Sequence, residues 1–235
     1  MKNRKLYLIS LFLIFIGSTL ESSIGSLVKK TGEVFLFENS YYPEMRELTQ
    51  DTSISINDYL FTKINSKAFL KFLPNTPIFL SENTSIVIKK IKTVTKNIKE
   101  PYDIFLNLNY GEIKLFKKNN FVVTPQALIQ TRGSSVVVNY NNKENFTTVF
   151  ALKGKTYITK NSDTSKQVVL DENQFINVFS QEATTGSSST KDFIVQSISK
   201  EALRGFDKKY DPLLLLKDNY KPSFLDLLFR KILLF

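Results

Sequence analysis

Short apolar runs separated by turn-forming residues recur through the middle of the chain. Residues 34–37 follow a glycine, residues 68–72 precede a Pro-Asn pair, and residues 78–80 and 86–88 each follow an Asn-Thr pair. Runs rich in β-branched and aromatic residues that recur about every 8–12 residues are typical of β-strands. The pattern predicts a mainly β fold, built as a sandwich, barrel or solenoid of short strands.

Three similar segments each begin with a glycine. They are GEVFLF at residues 32–37, GEIKLF at 111–116 and the weaker GKTYIT at 154–159. A glycine at the head of each segment can adopt the positive φ of a turn that a strand then leaves. The spacings between the three differ, so the segments predict repeated strand–turn units within one domain rather than a fixed-period array.

The stretch from residue 121 to residue 140 carries the most information. Residues 127–129 and 136–138 are apolar at consecutive positions, which predicts strands that are buried on both faces. Pro125 has no N–H for a sheet ladder, so we expect a strand start, a bulge or an edge there.

The same stretch resembles the core motif of the FecR domain family. FVVTP at 121–125 and TRGSSVVV at 131–138 are similar to the family's F-x-V-x-T-P and R-G-T-x-F-x-V blocks. Thr124, Pro125, Arg132 and Gly133 stand at motif positions, and we interpret all four as structural. The alternative for Arg132 is that its guanidinium binds a carboxylate or a carbonyl of a partner. Further landmarks in family order lie at residues 32–34, 56–60, 66–70, 75–80, 108–113, 153–155 and 168–174. The resemblance covers residues 28–180.

Departures from the family pattern concern single turn residues. Asn57, Asn75 and Asn173 stand where the family has glycine, and Ser134 replaces a threonine. Asparagine tolerates positive φ better than other residues with a side chain, so we expect the turns to survive.

The resemblance implies a periplasmic, mostly β domain of solenoid-like or sandwich-like form. In well-known family members this domain senses an outer-membrane receptor and signals inward to a sigma factor, through a transmembrane helix and a cytoplasmic anti-sigma segment. In this chain the first apolar run starts at Leu6. We therefore expect a free-standing exported module without the sigma-binding part.

The amino-terminal residues have the pattern of a secretory signal peptide. Lys2, Arg4 and Lys5 precede an apolar run over residues 6–16, and small residues follow. We predict a signal peptide over residues 1–25, cleaved after Gly25; the alternative is an uncleaved anchor. Either reading predicts an exported protein, periplasmic or otherwise extracytoplasmic, with membrane association left open.

Composition narrows the chemistry further. The 235 residues include no His and no Cys, which excludes His/Cys zinc sites, cysteine nucleophiles, Ser-His-Asp triads and disulfides. We expect a protein that is not an enzyme, with no catalytic residues, no metal and no cofactor. The net charge of +10 favours anionic partners. Lysine far outnumbers arginine, the usual reader of bases and phosphates, so nucleic acid is not expected.

Two groups of residues are candidates for binding. A lysine-rich segment without acidic residues holds Lys89, Lys90, Lys92 and Lys96; it would face an anionic surface or polymer, or simply form a solvated edge strand. Beyond a Ser/Thr-rich linker at 181–192, residues 193–235 are predicted to be a helical tail, with a first helix ending before Gly205. The tail's last segment, 223–235, has an amphipathic pattern whose apolar face includes Leu225, Leu228, Phe229 and Ile232.

These observations predict that residues 26–180 form a FecR-like β domain that acts as a non-enzymatic binding or scaffold module of the cell envelope. The expected partner is an envelope protein or an anionic wall polymer. Two alternatives stay open: a membrane-surface protein docked through the carboxy-terminal amphipathic helix, and an accessory regulator of extracytoplasmic signalling. The oligomeric state does not follow from the sequence.

Overall fold

The computed structural model describes residues 23–39, 44–50, 52–72, 76–91, 103–116, 119–180 and 193–210. These ranges contain seventeen strands and one helix, α1 (Lys200–Lys209). The strands are β1 (Gly25–Thr31), β2 (Val34–Phe37), β3 (Met45–Glu47), β4 (Ser53–Ile54), β5 (Tyr59–Thr62), β6 (Lys67–Phe72), β7 (Thr76–Leu80), β8 (Thr84–Ile91), β9 (Asp103–Leu115), β10 (Asn120–Val123), β11 (Ala127–Thr131), β12 (Ser135–Asn141), β13 (Phe146–Lys153), β14 (Thr156–Lys160), β15 (Asp163–Leu170), β16 (Gln174–Phe179) and β17 (Val195–Ser197). The prediction of a mainly β fold with a short helical extension is confirmed.

The strands form two layers that share one long strand. Sheet I has the order β4-β1-β6-β7-β9-β12-β13-β16-β17, and sheet II has the order β3-β2-β5-β8-β9-β10-β11-β14-β15. The thirteen-residue β9 pairs with β8 of sheet II up to Tyr110, and from Gly111 onward it pairs with β12 of sheet I. Neighbouring strands are antiparallel except β9 and β10, which are parallel.

The hydrophobic core lies between the two sheets. Strands such as β11 and β14 alternate buried and half-buried residues, so every second side chain points inward. The inward set from both sheets forms one continuous cluster that includes Leu36, Leu70, Ile86, Ile113 and Val138. The central strands of sheet I are also apolar on their outer face. Val136 and Val138 enter the core, while Val137 joins a second cluster outside the sandwich, which confirms burial on both faces for residues 136–138. For residues 127–129 the prediction is wrong, because Leu128 is half-buried on the outer face of sheet II.

Left-handed residues mark the points where the chain passes from one sheet to the other. Gly32, Gly111, Gly133 and Gly154 have φ between 67° and 90°, and each stands at such a crossing. Asparagines with positive φ occupy four more crossings within the described ranges: Asn57, Asn65, Asn83 and Asn173. The prediction that asparagine replaces glycine at positive φ is therefore confirmed for Asn57 and Asn173, while Asn75 lies outside the described residues. A sharp corner requires backbone that L-residues rarely adopt, and glycine and asparagine adopt it at least cost.

The carboxy-terminal extension begins differently from the prediction. Residues 195–197 form β17, which pairs with the open edge of sheet I at β16, so the helix does not start at residue 193. It starts at Lys200, because the Ser199 hydroxyl caps it by accepting a hydrogen bond from the amide of Ala202 at 3.2 Å. The helix also does not end before Gly205, as the sequence predicts, but continues to Lys209. A Cβ at Gly205 would meet no atom within 4 Å.

Several predicted segments lie outside the described residues. They are most of the signal peptide, the 181–192 linker and the tail beyond residue 210. The predicted cleavage point after Gly25 falls at the first residue of β1, where Gly25 pairs with Ile54 and Phe72. In the part of the chain that the structure describes, no helix is long and apolar enough to span a bilayer.

Candidate binding face

The outer face of sheet I is covered by α1. Phe69, Phe79 and Val137 project outward from β6, β7 and β12, and Tyr210, which directly follows the helix, packs on them. Phe79 meets the Tyr210 ring edge-on at 5.1 Å between centroids, and Phe150 of β13 meets Phe206 at 4.8 Å. All four core members of this cluster are at most 5% exposed, so the part of this face over β6, β7 and β12 is closed. At the β16 edge of the same sheet, Phe179 stays 57% exposed.

A carboxylate anchors the end of α1. The Tyr210 hydroxyl donates a hydrogen bond to Glu112 of β9, and the Lys209 ammonium lies 2.5 Å from the same oxygen. The ammonium of Lys114 lies 5.2 Å from the Tyr210 ring centroid. Burial, together with the neighbouring Glu112 charge, raises the pKa of Tyr210 far above its ordinary value. The contacts stabilise a neutral tyrosine and fix the helix on the sheet.

The outer face of sheet II carries two adjacent rows of outward side chains, which we call the aromatic strip. Strand pairing defines both rows. The first row is Phe37, Tyr59, Val87, Asn107, Val123, Leu128, Thr159 and Gln167. The second row is Lys89, Phe105, Phe121, Gln130, Tyr157 and Val169.

Aromatic rings on this face contact one another across neighbouring strands. Phe37 meets Tyr59 edge-on, with 6.3 Å between ring centroids, and the Phe105 and Phe121 centroids are 6.2 Å apart. Tyr59 is 44% exposed, Phe37 38% and Val169 41%. Phe37 and Tyr59 form an exposed aromatic pair at the β2–β5 end of the strip, which is the part most typical of an interaction site.

The charges of the aromatic strip have one sign. Its two rows contain no Asp or Glu, and their one formal charge is Lys89, whose ammonium donates a 2.6 Å hydrogen bond to the Asn57 side-chain oxygen. Beside the second row, the guanidinium of Arg132 lies 4.8 Å from the Tyr157 ring centroid. The side-chain amides of Asn107, Gln130 and Gln167 stand between the apolar positions. The strip therefore offers rings, amides and cations to a ligand.

The structure describes two of the four candidate lysines, Lys89 and Lys90. Lys89 lies in the strip, half-buried. Lys90 is the next residue of β8, where it pairs with Ile104, and Lys92 and Lys96 lie outside the described residues. Leu225, Leu228, Phe229 and Ile232 of the predicted tail helix also lie outside them. Their roles stay predictions.

Thr124 and Pro125 build the turn between β10 and β11. The Thr124 amide donates to the Ala127 carbonyl at 2.9 Å, with Pro125 exposed inside the turn, immediately before the strand start at Ala127. The Thr124 hydroxyl is buried and accepts a 2.7 Å hydrogen bond from Thr147. The Asn161 side chain donates to the Thr124 and Pro125 carbonyls. These bonds support a structural role for both residues.

Arg132 and Gly133 lie on the exposed corner between β11 and β12. Gly133 has φ of 68°, and a Cβ there would meet nothing within 4 Å. Its requirement for glycine therefore comes from the backbone angle, rather than from a crowded bulge. Arg132 packs on the Tyr157 ring at the margin of the strip, where its charge is exposed to a ligand.

The sequence alone does not predict the strip. The signal that indicates it is an aromatic residue at every second position of β2 and β5, Phe35 with Phe37 and Tyr59 with Phe61. Aromatic residues at both alternate positions place rings on one face of each strand. Among the described residues, no group of three or more acidic side chains is placed to hold a metal ion.

Comparison with known proteins yields limited similarity. No protein-family profile matches the chain. A 99-residue segment is 33% identical to EF-hand domain-containing family member C2 of Mus musculus, covering 41% of this chain but 13% of the mouse protein. One crystal structure of a candidate anti-sigma factor from Parabacteroides distasonis matches with 15% identity and a TM-score of 0.45, over 63% of each chain. A second such structure matches with 13% identity and a TM-score of 0.44, over 74% of this chain and 89% of that one. FecR membership stays a prediction from the sequence motifs.

Proposed function

We propose that this protein is a non-enzymatic binding module of the cell envelope and that the aromatic strip is its binding surface. The observation that carries the proposal is the asymmetry of the sandwich. The apolar centre of the outer face of sheet I is covered by α1 and Tyr210, and Phe179 is exposed at the β16 edge of that sheet. The outer face of sheet II keeps Phe37, Tyr59 and Val169 exposed.

The architecture suits a rigid platform. Corners with positive φ and a continuous core hold the nine strands of sheet II in register, so the rings of the strip are preorganised for a ligand. The absence of His and Cys from the whole sequence supports binding rather than catalysis. The signal-peptide pattern at residues 1–25 supports a place outside the cytoplasm.

An accessory role in extracytoplasmic signalling is the second candidate. It is favoured by the motif block at residues 121–138, whose Thr124-Pro125 turn carries a buried hydrogen-bond network. In that case the surface would bind a receptor domain. Docking to lipid through residues 223–235 is a third arrangement, and it would leave the strip without a ligand.

Site-specific photo-crosslinking in intact cells tests the proposal. A crosslinking amino acid replaces Tyr59 in the strip or, as a matched control, Phe179, an aromatic residue of sheet I that is 57% exposed. We expect export of the protein, with conjugates to an envelope component from position 59 and few or none from position 179. Retention in the cytoplasm, or equal labelling from both positions, would contradict the proposal.

A further inference from the structure

We infer that the ligand of the aromatic strip is an acidic polysaccharide that lies across the strands of sheet II. The inference rests on the proposed function and names the partner of that surface. It is carried by the order of the side chains along the strip, by their chemistry and by the sign of their charges.

The first argument is geometric. Neighbouring strands are separated by about 4.8 Å, which is close to the length of one sugar ring. In the second row, the successive strands β8, β9, β10, β11 and β14 present a cation, two aromatic rings, an amide and a third ring, through Lys89, Phe105, Phe121, Gln130 and Tyr157. A chain of sugars crossing the strands would meet one side chain of the row at nearly every repeat.

The second argument is the nature of the contacts. Phe105, Phe121 and Tyr157 are half-buried, and the Phe105 and Phe121 planes are inclined by 30°, so the rings of the second row lie low against the sheet. Rings that lie low against a sheet suit the apolar faces of sugars, whereas protein interfaces draw most of their energy from anchors that fill pockets. The amides of Asn107, Gln130 and Gln167 can donate to and accept from hydroxyl groups.

The third argument is charge. The two rows carry no carboxylate, so an anionic chain meets no repulsion along them. Lys89 lies at one end of the second row, and Arg132 lies over Tyr157 toward the other end. Arg132 is exposed, and its fork of donors matches a carboxylate. Spaced cations with rings between them fit carboxylates distributed along a polymer better than they fit the dense anionic surface of a bilayer.

The test is a binding titration of the full exported chain with three probes: polygalacturonate, its carboxyl-reduced, neutral counterpart, and anionic phospholipid vesicles. Tyr59→Ser with Tyr157→Ser removes two rings of the strip, and Phe179→Ser is the matched change on sheet I. Arg132→Gln and Lys89→Gln remove the cations without touching the core. Thermal unfolding of each variant checks that the fold is retained.

We expect polygalacturonate to bind and the neutral polymer to bind more weakly. Affinity should fall by about tenfold in the ring variant, as for residues at the centre of an interface, and remain unchanged in Phe179→Ser. The cation variants should bind more weakly and lose most of the salt dependence.

Three results would overturn the inference. One is equal binding of both polymers, and another is binding that survives the ring and cation changes. The third is preference of the strip for anionic vesicles, which would make lipid the ligand. If polygalacturonate fails to bind while position 59 still crosslinks to an envelope protein, the glycan inference falls and the proposed binding module stands. If both experiments fail, both proposals fall.

Discussion

Single residues set the corners of this sandwich, and their demands differ from site to site. At Gly111, the bend of β9, φ is 90° and a Cβ would lie 2.4 Å from the Asn83 carbonyl oxygen and 2.5 Å from the Thr84 Cα. At Gly133 the backbone angle is similar but the space is open. One corner excludes a side chain by both conformation and contact, and the other by conformation alone.

We predict that Gly111→Ala destabilises the protein more than Gly133→Ala. The second change should cost about 1–2 kcal/mol, the price of a left-handed L-residue. The first should cost clearly more, since the clashing atoms belong to backbone that cannot move without disturbing β8. Urea unfolding of both variants measures the difference. Equal losses would show that β9 does not bend against the Asn83–Thr84 corner as described.

Asn120 is an opposite case, a polar residue at an apolar place. Its side chain is fully buried, and neither its amide nitrogen nor its oxygen has a partner among the described residues. Such a group costs about 1–3 kcal/mol of desolvation. We predict that Asn120→Leu leaves stability unchanged or raises it by about 1 kcal/mol.

The control for Asn120 is the residue paired with it. The Thr131 hydroxyl accepts a 2.9 Å hydrogen bond from the backbone N–H of Asn120, so Thr131→Val should lose stability. Chemical denaturation compares the two variants. A loss in Asn120→Leu as large as that in Thr131→Val would indicate that the Asn120 side chain is satisfied in solution.

At the scale of elements, α1 depends on the neutral form of Tyr210. Because the pKa of Tyr210 is raised in the folded state, the unfolded chain loses this proton first as pH rises. The stabilisation is therefore complete below the ordinary tyrosine pKa of 10.0 and falls as pH rises above it.

We predict that Tyr210→Phe flattens this alkaline loss. At neutral pH it should cost about 1.5–3 kcal/mol, the worth of a hydrogen bond to a charged group. Unfolding free energies of both proteins between pH 8 and 11, or roughly that window around the tyrosine pKa, measure the effect. Parallel pH profiles would mean that Tyr210 is not docked on Glu112 in solution. Lys209→Ala, which leaves the hydroxyl contact in place, serves as the control.

The same element shows where pattern reading from sequence succeeds and fails. Short apolar runs in the sequence locate β2, β6, β11 and β12 correctly, because the spacing of apolar residues along a strand is a local pattern. The apolar spacing of residues 193–198 predicts a helix, whereas residues 195–197 pair with the edge of β16 as β17. Pairing with a distant edge is a tertiary effect that a local pattern does not contain.

For the whole molecule, the sequence predicted the class of fold but not which strand belongs to which sheet. That assignment depends on non-local pairings, such as β1 with β6 and the parallel pair β9–β10. The candidate site follows from it. Tyr59, Phe105 and Tyr157 lie far apart in sequence, and only the order of sheet II places them in adjacent rows. Lys89 is a candidate from the sequence alone, because a run of lysines can be recognised without knowing the strand order.

The central claim is that the protein meets its envelope partner through the aromatic strip. Hydroxyl-radical footprinting measures the reactivity of each aromatic side chain in the purified protein and in intact cell envelopes. We predict that Phe37, Tyr59 and Tyr157 become protected in envelopes, while Phe179 on sheet I reacts equally in both. Unchanged reactivity of the three strip residues, with protection of Phe179 instead, would contradict the account.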